Sequence, residues 1–327
     1  MRLLVTGGAG FIGAVTVRRL CEAGHEPIVL DDLSAGHREA VAGMELVVGD
    51  FGERALLRDL LGSKKIDAVV HFAASSLVGE SVQRPGEYYR NNLERSLALL
   101  DVLRERGVMR LVLSSTAAVY GEPVVIPMDE EHPTRPTNPY GETKLALEKA
   151  LRWYHAAYGF ASVSLRYFNA AGASADGSLG EVHDPETHLV PNVLRAALTD
   201  DPVPVFGTDY ATHDGTAVRD YVHVEDLADG HVRALESLER MGGASVLNLG
   251  NGAGFSVLQV IEAARRITGK PIPIRKASRR PGDPESLVAS SGRARREIGW
   301  TPRFPGLESI LETAWRFART HPHGYRS

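Results

Sequence analysis

Short apolar runs alternate with helical patterns through the first half of the chain. The runs are rich in β-branched residues, which is typical of strands buried on both faces of a sheet. They cover residues 2–6, 26–31, 44–50, 67–74, 110–115 and 161–168. Strands that alternate with helices form βαβ units, and right-handed crossovers then favour a doubly wound parallel sheet. The pattern therefore predicts an α/β protein built on such a sheet.

The pattern changes after residue 170. Glycine, proline, aspartate and histidine become frequent over 171–191, and we expect a mobile segment or a substrate edge at 171–188. Shorter strands and further helices follow this segment. The strands are predicted at 203–207, 218–224, 245–250 and 271–277, and the helices at 225–240, 256–269 and 307–320.

These two patterns predict two domains. Residues 1–170 form a Rossmann-type domain, to which a segment near 215–240 returns. Residues 171–327 form a smaller, irregular C-terminal α/β domain.

Composition and charge narrow the classes of function. The chain has 327 residues, a formal net charge of −4 and one cysteine, Cys21. A net charge of −4 does not indicate the basic surface that binding to nucleic acid or to a membrane requires. A single cysteine excludes an internal disulfide. Because no apolar run approaches the length of a membrane span and Met1 leads directly into a strand, we expect a cytoplasmic protein without a signal peptide.

A glycine-rich loop follows the first strand and opens the first helix. In VTGGAGFIG, the glycines Gly7, Gly10 and Gly13 allow a tight turn and a close approach to a pyrophosphate at the helix N-terminus. Asp31 ends the second strand and is followed by Asp32. A carboxylate there accepts hydrogen bonds from an adenosine ribose and repels a 2′-phosphate, so the pair predicts NAD rather than NADP. The alternative is a capping aspartate in the turn.

Tyr140 and Lys144 lie four residues apart in a helical pattern and share one face of that helix. A lysine cation beside the phenol favours phenolate, and a positive nicotinamide ring adds to this effect. Thr116 ends the fifth strand, where its hydroxyl can share a hydrogen bond with the phenol and the substrate. We predict these three as catalytic residues and expect Ser115 to line the nicotinamide. The alternatives are a surface helix pair and a local turn bond of Thr116.

Seven motifs resemble those of the extended short-chain dehydrogenase/reductase family, especially its nucleotide-sugar epimerases. The resemblance runs nearly from end to end, and the long block at 205–231 is its most specific part. The motifs are VTGGAGFIG, FAASSLVGESV (72–82), SSTAAVYG (114–121), NPYGETK (138–144), RYFNAAGA (166–173), VFGTDYATHDGTAVRDYVHVEDLADGH (205–231) and RRPGDP (279–284).

The resemblance implies an isomerase of galactose metabolism. Such an enzyme reversibly inverts C4 of a UDP-hexose (UDP-glucose or UDP-galactose) through a transient 4-keto sugar, with tightly bound NAD as hydride carrier. Tyr140 would take the proton of the sugar 4-hydroxyl. Residues 1–170 would be the NAD-binding domain and 171–327 the UDP-sugar-binding domain. A homodimer would form through the helices at 88–106 and 140–158.

The resemblance also implies the contacts of the two ligands. Residues at the cofactor would be Gly7, Gly10, Phe11, Ile12, Gly13, Asp31, Asp32, Asp50, Phe51, Phe72, Ala73, Ala74, Asn91, Ser114, Tyr140, Lys144 and Tyr167. Residues at the substrate would be Thr116, Tyr140, Asn169, His188, Leu189, Val205, Phe206, Arg219, Arg280 and Asp283. An N-cap role is the alternative for Asp50. A surface charge or ion pair is the alternative for both arginines.

Four other functions remain open. Dehydratases and decarboxylases of this fold carry acid–base groups directly after the threonine, whereas Ala117 and Ala118 have no proton-transfer capacity. Leu287 lies at a position where related enzymes can have a tyrosine that lines the sugar pocket. Because leucine is smaller and leaves room for an N-acetyl group, UDP-N-acetylglucosamine and UDP-N-acetylgalactosamine are alternative substrates. A catalytically silent NAD sensor is disfavoured because Tyr140 and Lys144 are both present.

A metal enzyme is the fourth alternative. His183, Asp184 and His188 lie close together in the glycine-rich loop. The sequence has no His-x-x-x-His pair on a helix and no paired cysteines. We therefore interpret the histidines as a chance cluster or a substrate edge, and predict no metal.

Overall fold

The computed structural model describes residues 1–280 and 283–325. Its strands are β1 (Arg2–Thr6), β2 (Glu26–Asp31), β3 (Glu45–Val48), β4 (Ala68–His71), β5 (Arg110–Thr116), β6 (Ala161–Tyr167), β7 (Asn169–Ala171), β8 (Val203–Phe206), β9 (Val218–Arg219), β10 (Tyr221–His223), β11 (Ala244–Leu249), β12 (Phe255–Ser256), β13 (Ile274–Ala277) and β14 (Ser286–Leu287).

The helices alternate with these strands through the first half. They are α1 (Phe11–Glu22), α2 (Arg54–Ser63), α3 (Val78–Gln83), α4 (Pro85–Tyr88), α5 (Arg95–Glu105), α6 (Pro139–Tyr158), α7 (Leu189–Thr199), α8 (Val224–Met241), α9 (Val257–Thr268), α10 (Gly292–Ile298) and α11 (Leu307–Thr320). Short 3₁₀ turns cover Arg38–Val41 and Ala117–Val119. The helix expected at 88–106 is divided, because a π-helical segment at Tyr89–Glu94 joins α4 to α5.

A seven-stranded parallel sheet forms the centre of the molecule, in the order β11-β6-β5-β4-β1-β2-β3. This order is the doubly wound Rossmann arrangement with one added strand. Side chains alternate along β1, so Leu3 and Val5 pack toward α1 and α8, whereas Leu4 packs toward α2 and α5. The predicted α/β fold with a parallel sheet is confirmed.

Two strands differ from their sequence-based assignment. The strand predicted at 245–250 among those of the C-terminal half is β11, which pairs with β6 at the edge of the main sheet. The strand predicted at 218–224 is two strands, since β9 pairs with β12 and β14 while β10 pairs with β7. Asp220 lies between them, and its buried carboxylate accepts hydrogen bonds from the backbone N–H groups of Asn251, Gly252 and Ala289.

A separate apolar core underlies the remaining elements. Helices α7, α9 and α11 pack together there beside the parallel pair formed by β8 and β13. Val193, Ile261 and Ile310 are among its fully buried side chains. Among residues 1–280 and 283–325, no helix has the length and apolar character that a membrane span requires.

Candidate active site

Tyr140 lies in the first turn of α6, whose start is fixed by local interactions. The Asn138 side chain caps the helix by accepting a hydrogen bond from the Gly141 N–H at 2.9 Å, and Pro139 occupies the first helical position. A Cβ at Gly141 would lie 2.5 Å from the carbonyl oxygen of Ala118. Only glycine therefore allows α6 to approach the end of β5 closely enough to bring Tyr140 to Thr116.

The surroundings of Tyr140 and Lys144 shift the pKa values of both side chains. Burial raises the pKa of Tyr140, and a hydrogen bond with Thr116 partly opposes this effect. Burial lowers the pKa of Lys144 to about 8, while the charge of Glu148 raises it. The protein by itself therefore keeps the phenol neutral at neutral pH, and the phenolate expected from Lys144 and a bound nicotinamide stays a prediction.

Lys144 is held by the strand that it faces. Its Nζ donates a hydrogen bond to the carbonyl oxygen of Ser114 at 2.9 Å, and its side chain is buried. The Ser114 hydroxyl pairs with the phenol of Tyr167, whose pKa is raised by burial. Thr116, which ends β5, caps the short turn that follows it, since its Oγ1 accepts the Ala118 N–H at 3.1 Å.

A buried ion pair that the sequence did not indicate lies behind Lys144. Arg166 donates to both carboxylate oxygens of Glu148 at 3.0 and 2.6 Å, and both side chains are almost fully buried. Its guanidinium also lies 4.8 Å from the ring centre of Tyr120. Ser115 donates to Glu148 at 2.6 Å and is itself buried. The expectation that Ser115 lines the nicotinamide is therefore wrong, because its side chain points into this ion pair.

The glycine loop is tightly folded between β1 and α1. Gly7 has a φ of 70°, and a Cβ there would lie 2.5 Å from the Ala73 nitrogen. At Gly13, a Cβ would lie 2.3 Å from the Gly7 carbonyl oxygen. Gly10 precedes the first turn of α1, which has no side-chain cap and no acidic residue. Phe11 and Ile12 begin the helix, and the exposed N–H groups of this turn suit a pyrophosphate.

Asp31 and Asp32 have different surroundings at the end of β2. Asp31 is buried and accepts hydrogen bonds from the N–H groups of Ala9 and Leu33, both at 2.9 Å. Burial raises its pKa, and these two backbone bonds lower it. Asp32 is exposed and accepts from the backbone and hydroxyl of Ser34. The structure thus directs Asp31 toward the glycine loop and Asp32 toward its own turn.

Residues after β4 border the glycine loop. The N–H groups of Phe72 and Ala73 donate to the Thr6 carbonyl, and Ala74 follows them, partly buried. The next residue, Ser75, is held by the π-helical segment through two asparagines. Asn92 bonds its backbone at 2.8 and 2.9 Å, and Asn91 bonds its hydroxyl at 2.9 Å.

Asp50 and Phe51 follow β3. Asp50 accepts a hydrogen bond from the Gly52 N–H and pairs with Arg95 at 3.1 Å. The N-cap role considered for Asp50 is wrong, because Glu53 occupies the N-cap of α2. Phe51 is buried in the core on the α2 side of the sheet.

The predicted substrate residues lie on short strands and loops of the C-terminal half. Arg219 pairs with Asp283 and donates to the Pro284 carbonyl at 2.8 Å. The exposed Arg280 places its guanidinium 4.1 Å from the ring centre of Phe206. These two arginines therefore already have protein partners.

Three further predicted substrate residues have backbone or core surroundings. Asn169 is partly buried at the start of β7, where its N–H donates to the Asp220 carbonyl at 3.0 Å. The side chain of Val205 is buried in the core beneath β8. Leu189 begins α7 and is partly buried.

His188 precedes α7 and faces an acidic part of the loop. Its Nδ1 lies 2.9 Å from Glu186 and 3.0 Å from Glu181. Burial lowers the pKa of His188, but the two carboxylates outweigh burial and raise it to about 10. Asp184, which the sequence grouped with the histidines, is exposed and does not belong to this group.

Comparisons with known proteins found relatives along nearly the whole chain. Residues 3–250 match the NAD dependent epimerase/dehydratase family. A UDP-glucose 4-epimerase of Halalkalibacterium halodurans is 53% identical, over 99% of this chain and 98% of its own. The structure of UDP-glucose 4-epimerase from Brucella ovis in complex with NAD has a TM-score of 0.93 and 45% identity, covering 96% of this chain and 97% of its own.

A second solved structure extends the comparison to a bound nucleotide. It is UDP-glucose 4-epimerase from Bifidobacterium longum in complex with NAD⁺ and UDP, with a TM-score of 0.95 and 39% identity, covering 99% of this chain and 100% of its own. The family match spans most of the chain, and the relatives align along its whole length. The chain therefore belongs to the NAD dependent epimerase/dehydratase family.

Proposed function

We propose that the chain is a UDP-glucose 4-epimerase that works with bound NAD. One observation carries the proposal: Tyr140 and Thr116 meet at the carboxyl end of β5, on the same edge of the sheet as the glycine loop after β1, and Ala117 and Ala118 follow the threonine. Ligands of doubly wound sheets bind at this edge. Three curated relatives that match this chain over nearly its full length, at 48–53% identity, are named UDP-glucose 4-epimerases, whereas two less similar solved structures are named for the N-acetylglucosamine sugar as well or instead.

The residues of the chain handle the proton of the reaction. The Tyr140 oxygen takes the proton of the sugar 4-hydroxyl and later returns it, while the Thr116 hydroxyl orients both oxygens. The Lys144 cation, fixed on the Ser114 carbonyl, favours the phenolate form. When bound, NAD supplies the acceptor and donor for the hydride of C4. Rotation of the 4-keto sugar between these transfers exposes its other face, and this rotation inverts the centre.

The residues proposed for NAD fit that cofactor. Gly7 and Gly13 allow the loop to pack on neighbouring backbone that a Cβ would strike, and this packing sets the loop at the start of α1. A Cβ at Gly10 would meet only the Gly7 carbonyl oxygen, at 3.4 Å, and the uncapped start of α1 offers N–H groups to the pyrophosphate. Asp31 is the proposed ribose ligand. Its carboxylate would repel the additional phosphate of NADP.

The residues proposed for the UDP-sugar lie in the C-terminal half, which we propose as the substrate domain of residues 171–327. Arg219 and Arg280 carry forked donors that suit phosphate oxygens. Asp283 is proposed for the uridine ribose, and the backbone near Phe206 for uracil. Binding would require Arg219 to share or exchange its bond with Asp283.

The alternative reactions have less support. An elimination or a decarboxylation needs an additional acid or base, and the alanines after Thr116 offer none. The N-acetylated sugars are candidates for a second activity, since Leu287 is smaller than tyrosine and packs against the same buried cluster as Ala117, the residue after Thr116. The names of the matching relatives favour UDP-glucose as the main substrate.

We also propose a homodimer in the cytoplasm, as expected from the sequence. Large apolar side chains are exposed on the helices that would meet, and the most exposed is Trp153, at 76%. Tyr158 is exposed on the same helix and Tyr89 in the π-helical segment before α5, while Val78 and Val82 are exposed on α3, which packs against α6. An exposed apolar surface of this kind is typical of a protein interface. A monomer mass by light scattering would contradict the dimer.

Incubation of the purified chain with UDP-galactose, without added NAD, tests the function. We expect UDP-glucose as product, because the cofactor stays bound through purification. A stable 4-keto-6-deoxy sugar would instead identify a dehydratase, and release of CO₂ from UDP-glucuronate in a parallel incubation would identify a decarboxylase. Activity that appears only with added NAD would support the reaction but contradict tight binding.

A further inference from the structure

Four side chains with metal-binding atoms converge in the loop between β7 and α7. They are Glu181, His183, Glu186 and His188, and one ligand atom from each lies within 4.8 Å of all the others. The loop brings them together from only eight consecutive residues, since 181 to 188 includes all four. None of the four is assigned to the proton transfer at Tyr140, and a role of His188 as a metal ligand would replace the substrate contact that the resemblance implies for it.

The distances within this group fit a small divalent ion. The Nδ1 atoms of both histidines face the carboxylates. From His188 the distances are 3.0 Å to Glu181 and 2.9 Å to Glu186, and from His183 they are 3.4 Å and 3.5 Å. Zinc binds histidine nitrogen and carboxylate oxygen at about 2.0–2.2 Å in a tetrahedron, which separates neighbouring ligand atoms by about 3.3–3.5 Å. The observed spacing therefore needs little adjustment to hold Zn²⁺.

Burial gives a second, independent reason for a cation at this position. The side chains of Glu181 and Glu186 are only 6% and 9% exposed, and buried carboxylates require positive partners. The Nδ1 atom of His183 is shielded from solvent and has no hydrogen-bond partner, although it points at both carboxylates. An ion between the four groups would satisfy this nitrogen and both acids together.

The surroundings of the group hold two of its ligands in place. Glu186 accepts the backbone N–H of His188 at 2.7 Å, and Asn192 donates to the carbonyl of His188 at 2.8 Å. Hydrogen bonds of this kind orient the ligands of metal sites. An ion there would fasten the loop to the start of α7.

We propose that Glu181, His183, Glu186 and His188 form a structural zinc site with four protein ligands. Two neutral imidazoles and two carboxylates balance the charge of one Zn²⁺ and close its tetrahedron, so no position remains for water or substrate. The site fixes the segment that leads into Leu189 at the start of α7. The same four groups could otherwise form two imidazolium–carboxylate pairs without metal, and the experiment must separate these states.

The full-length protein, stripped with a chelator and dialysed, is titrated with Zn²⁺ in competition with a chromogenic chelator. We expect one Zn²⁺ per chain. Glu181→Gln and His183→Gln keep the shape of the loop, and each should weaken binding by about 100-fold or more, because loss of even an outer partner of a metal site costs about 10- to 100-fold. His213→Gln is the matched control, since His213 is exposed and lies outside the group. It should bind Zn²⁺ as the unchanged chain does.

Binding of Co²⁺ provides a readout that does not depend on activity or on the yield of the variants. The unchanged chain should show the intense visible bands of tetrahedral Co²⁺, and His183→Gln should not. The proposal is overturned if the unchanged chain binds Zn²⁺ no tighter than His183→Gln, or if Co²⁺ gives only the weak spectrum of six-coordinate ion. Circular dichroism of the metal-free variants identifies a variant that has merely unfolded.

Discussion

The two sides of the candidate site differ in how their charged groups are satisfied. On the sheet side, Lys144 and Tyr140 are held by a backbone carbonyl and a capped helix, and these contacts do not compete with a ligand. On the substrate side, Arg219 is paired with Asp283, and Arg280 covers Phe206. In the proposed mechanism the chemistry is therefore organised before the substrate arrives, whereas recognition requires partners to be exchanged. Changes on the two sides should affect different kinetic constants.

Removing the phenol hydroxyl on the sheet side should give the largest effect. Tyr140→Phe deletes the proposed proton acceptor, and positioned acid–base groups contribute about 10²- to 10⁴-fold. We expect kcat to fall by about 10³-fold, with little change in KM or in the melting temperature. The coupled conversion of UDP-galactose measures the rate.

Tyr154→Phe is the matched control for this change. Tyr154 lies on the same helix, but its hydroxyl donates to Asp101 at 2.6 Å, away from β5. Its kcat should stay within a factor of about two. Equal activity of Tyr140→Phe and the unchanged chain would remove Tyr140 from the mechanism.

The next largest effect should come from the ion pair behind Lys144. Glu148→Gln leaves Arg166 charged and buried without its partner, which typically costs about 3–5 kcal/mol of unfolding free energy. Because the charge of Glu148 raises the pKa of Lys144, its loss should also lower that pKa from about 8. The alkaline limit of activity should then move to lower pH. Denaturant unfolding and a pH–rate profile measure the two effects.

A double variant separates stability from electrostatics. Glu148→Leu with Arg166→Met replaces the pair by apolar groups, and such replacements are often neutral or stabilising. The double variant should recover stability but keep the shifted pH profile. A normal profile in that protein would show that Glu148 acts on the fold alone.

The strands and helices of the sheet side could be predicted from the sequence because their signals are local, and the roles of the residues on them stay a prediction. Gly7, Gly13 and Asp31 occur at fixed spacing in one strand–helix–strand unit, and Tyr140 and Lys144 share one helical turn. Comparable local signals do not exist for ion pairs formed in the tertiary structure. Glu148 follows Lys144 at helical spacing and resembles a surface charge, and its partner Arg166 comes from β6.

The most specific motif shows the same limit. The block at 205–231 suggested ligand contacts, but several of its polar side chains bind later segments of the C-terminal half. Asp220 binds three backbone N–H groups, Asp226 accepts those of Arg303 and Phe304, and His223 contacts Thr313. These partners lie far away in the chain, so only the tertiary structure could show that the block also has this structural role.

On the substrate side, loss of an arginine should weaken binding rather than slow the chemistry. Arg219→Ala removes charge-assisted hydrogen bonds, each of which is worth about 1.5–3 kcal/mol. We expect KM for UDP-galactose to rise by about 10- to 100-fold, with kcat reduced much less. Steady-state kinetics and calorimetry with UDP measure this effect.

Asp283→Asn tests whether the ion pair between Arg219 and Asp283 must break before UDP binds. It weakens the hold on Arg219 without removing the guanidinium. If Arg219 must leave Asp283, the variant should bind UDP more tightly than the unchanged chain, or lose less than Arg219→Ala. A loss equal to that of Arg219→Ala would mean that Asp283 itself supplies an equally important contact.

Acid should lower the unfolding free energy, because one buried histidine of the sheet, His71, stays neutral in the folded chain. His71 forms hydrogen bonds with the hydroxyls of Thr6 and Ser96. Burial lowers its pKa to about 3, and the charge of Lys144 makes a smaller contribution in the same direction. Between pH 6.5 and 3 the unfolded chain therefore binds a proton that the folded chain does not, so the unfolding free energy falls as pH falls. One such histidine accounts for about 2 kcal/mol by pH 5.

The pH slope of stability, rather than stability itself, identifies this contribution. His71→Gln should flatten the fall in unfolding free energy between pH 7 and pH 5 by about 2 kcal/mol, even if the variant is less stable at every pH. His213→Gln, at an exposed position on the substrate side, should leave the slope unchanged. On the substrate side the pKa of His188 is raised to about 10. In the metal-free protein His188 therefore stabilises the fold fully below about pH 6.5, and this stabilisation is lost as the pH rises to about 10. An unchanged slope in His71→Gln would mean that the acid sensitivity arises elsewhere. The contrast between neutral His71 in the sheet and charged His188 in the loop of the metal-free protein would then fail.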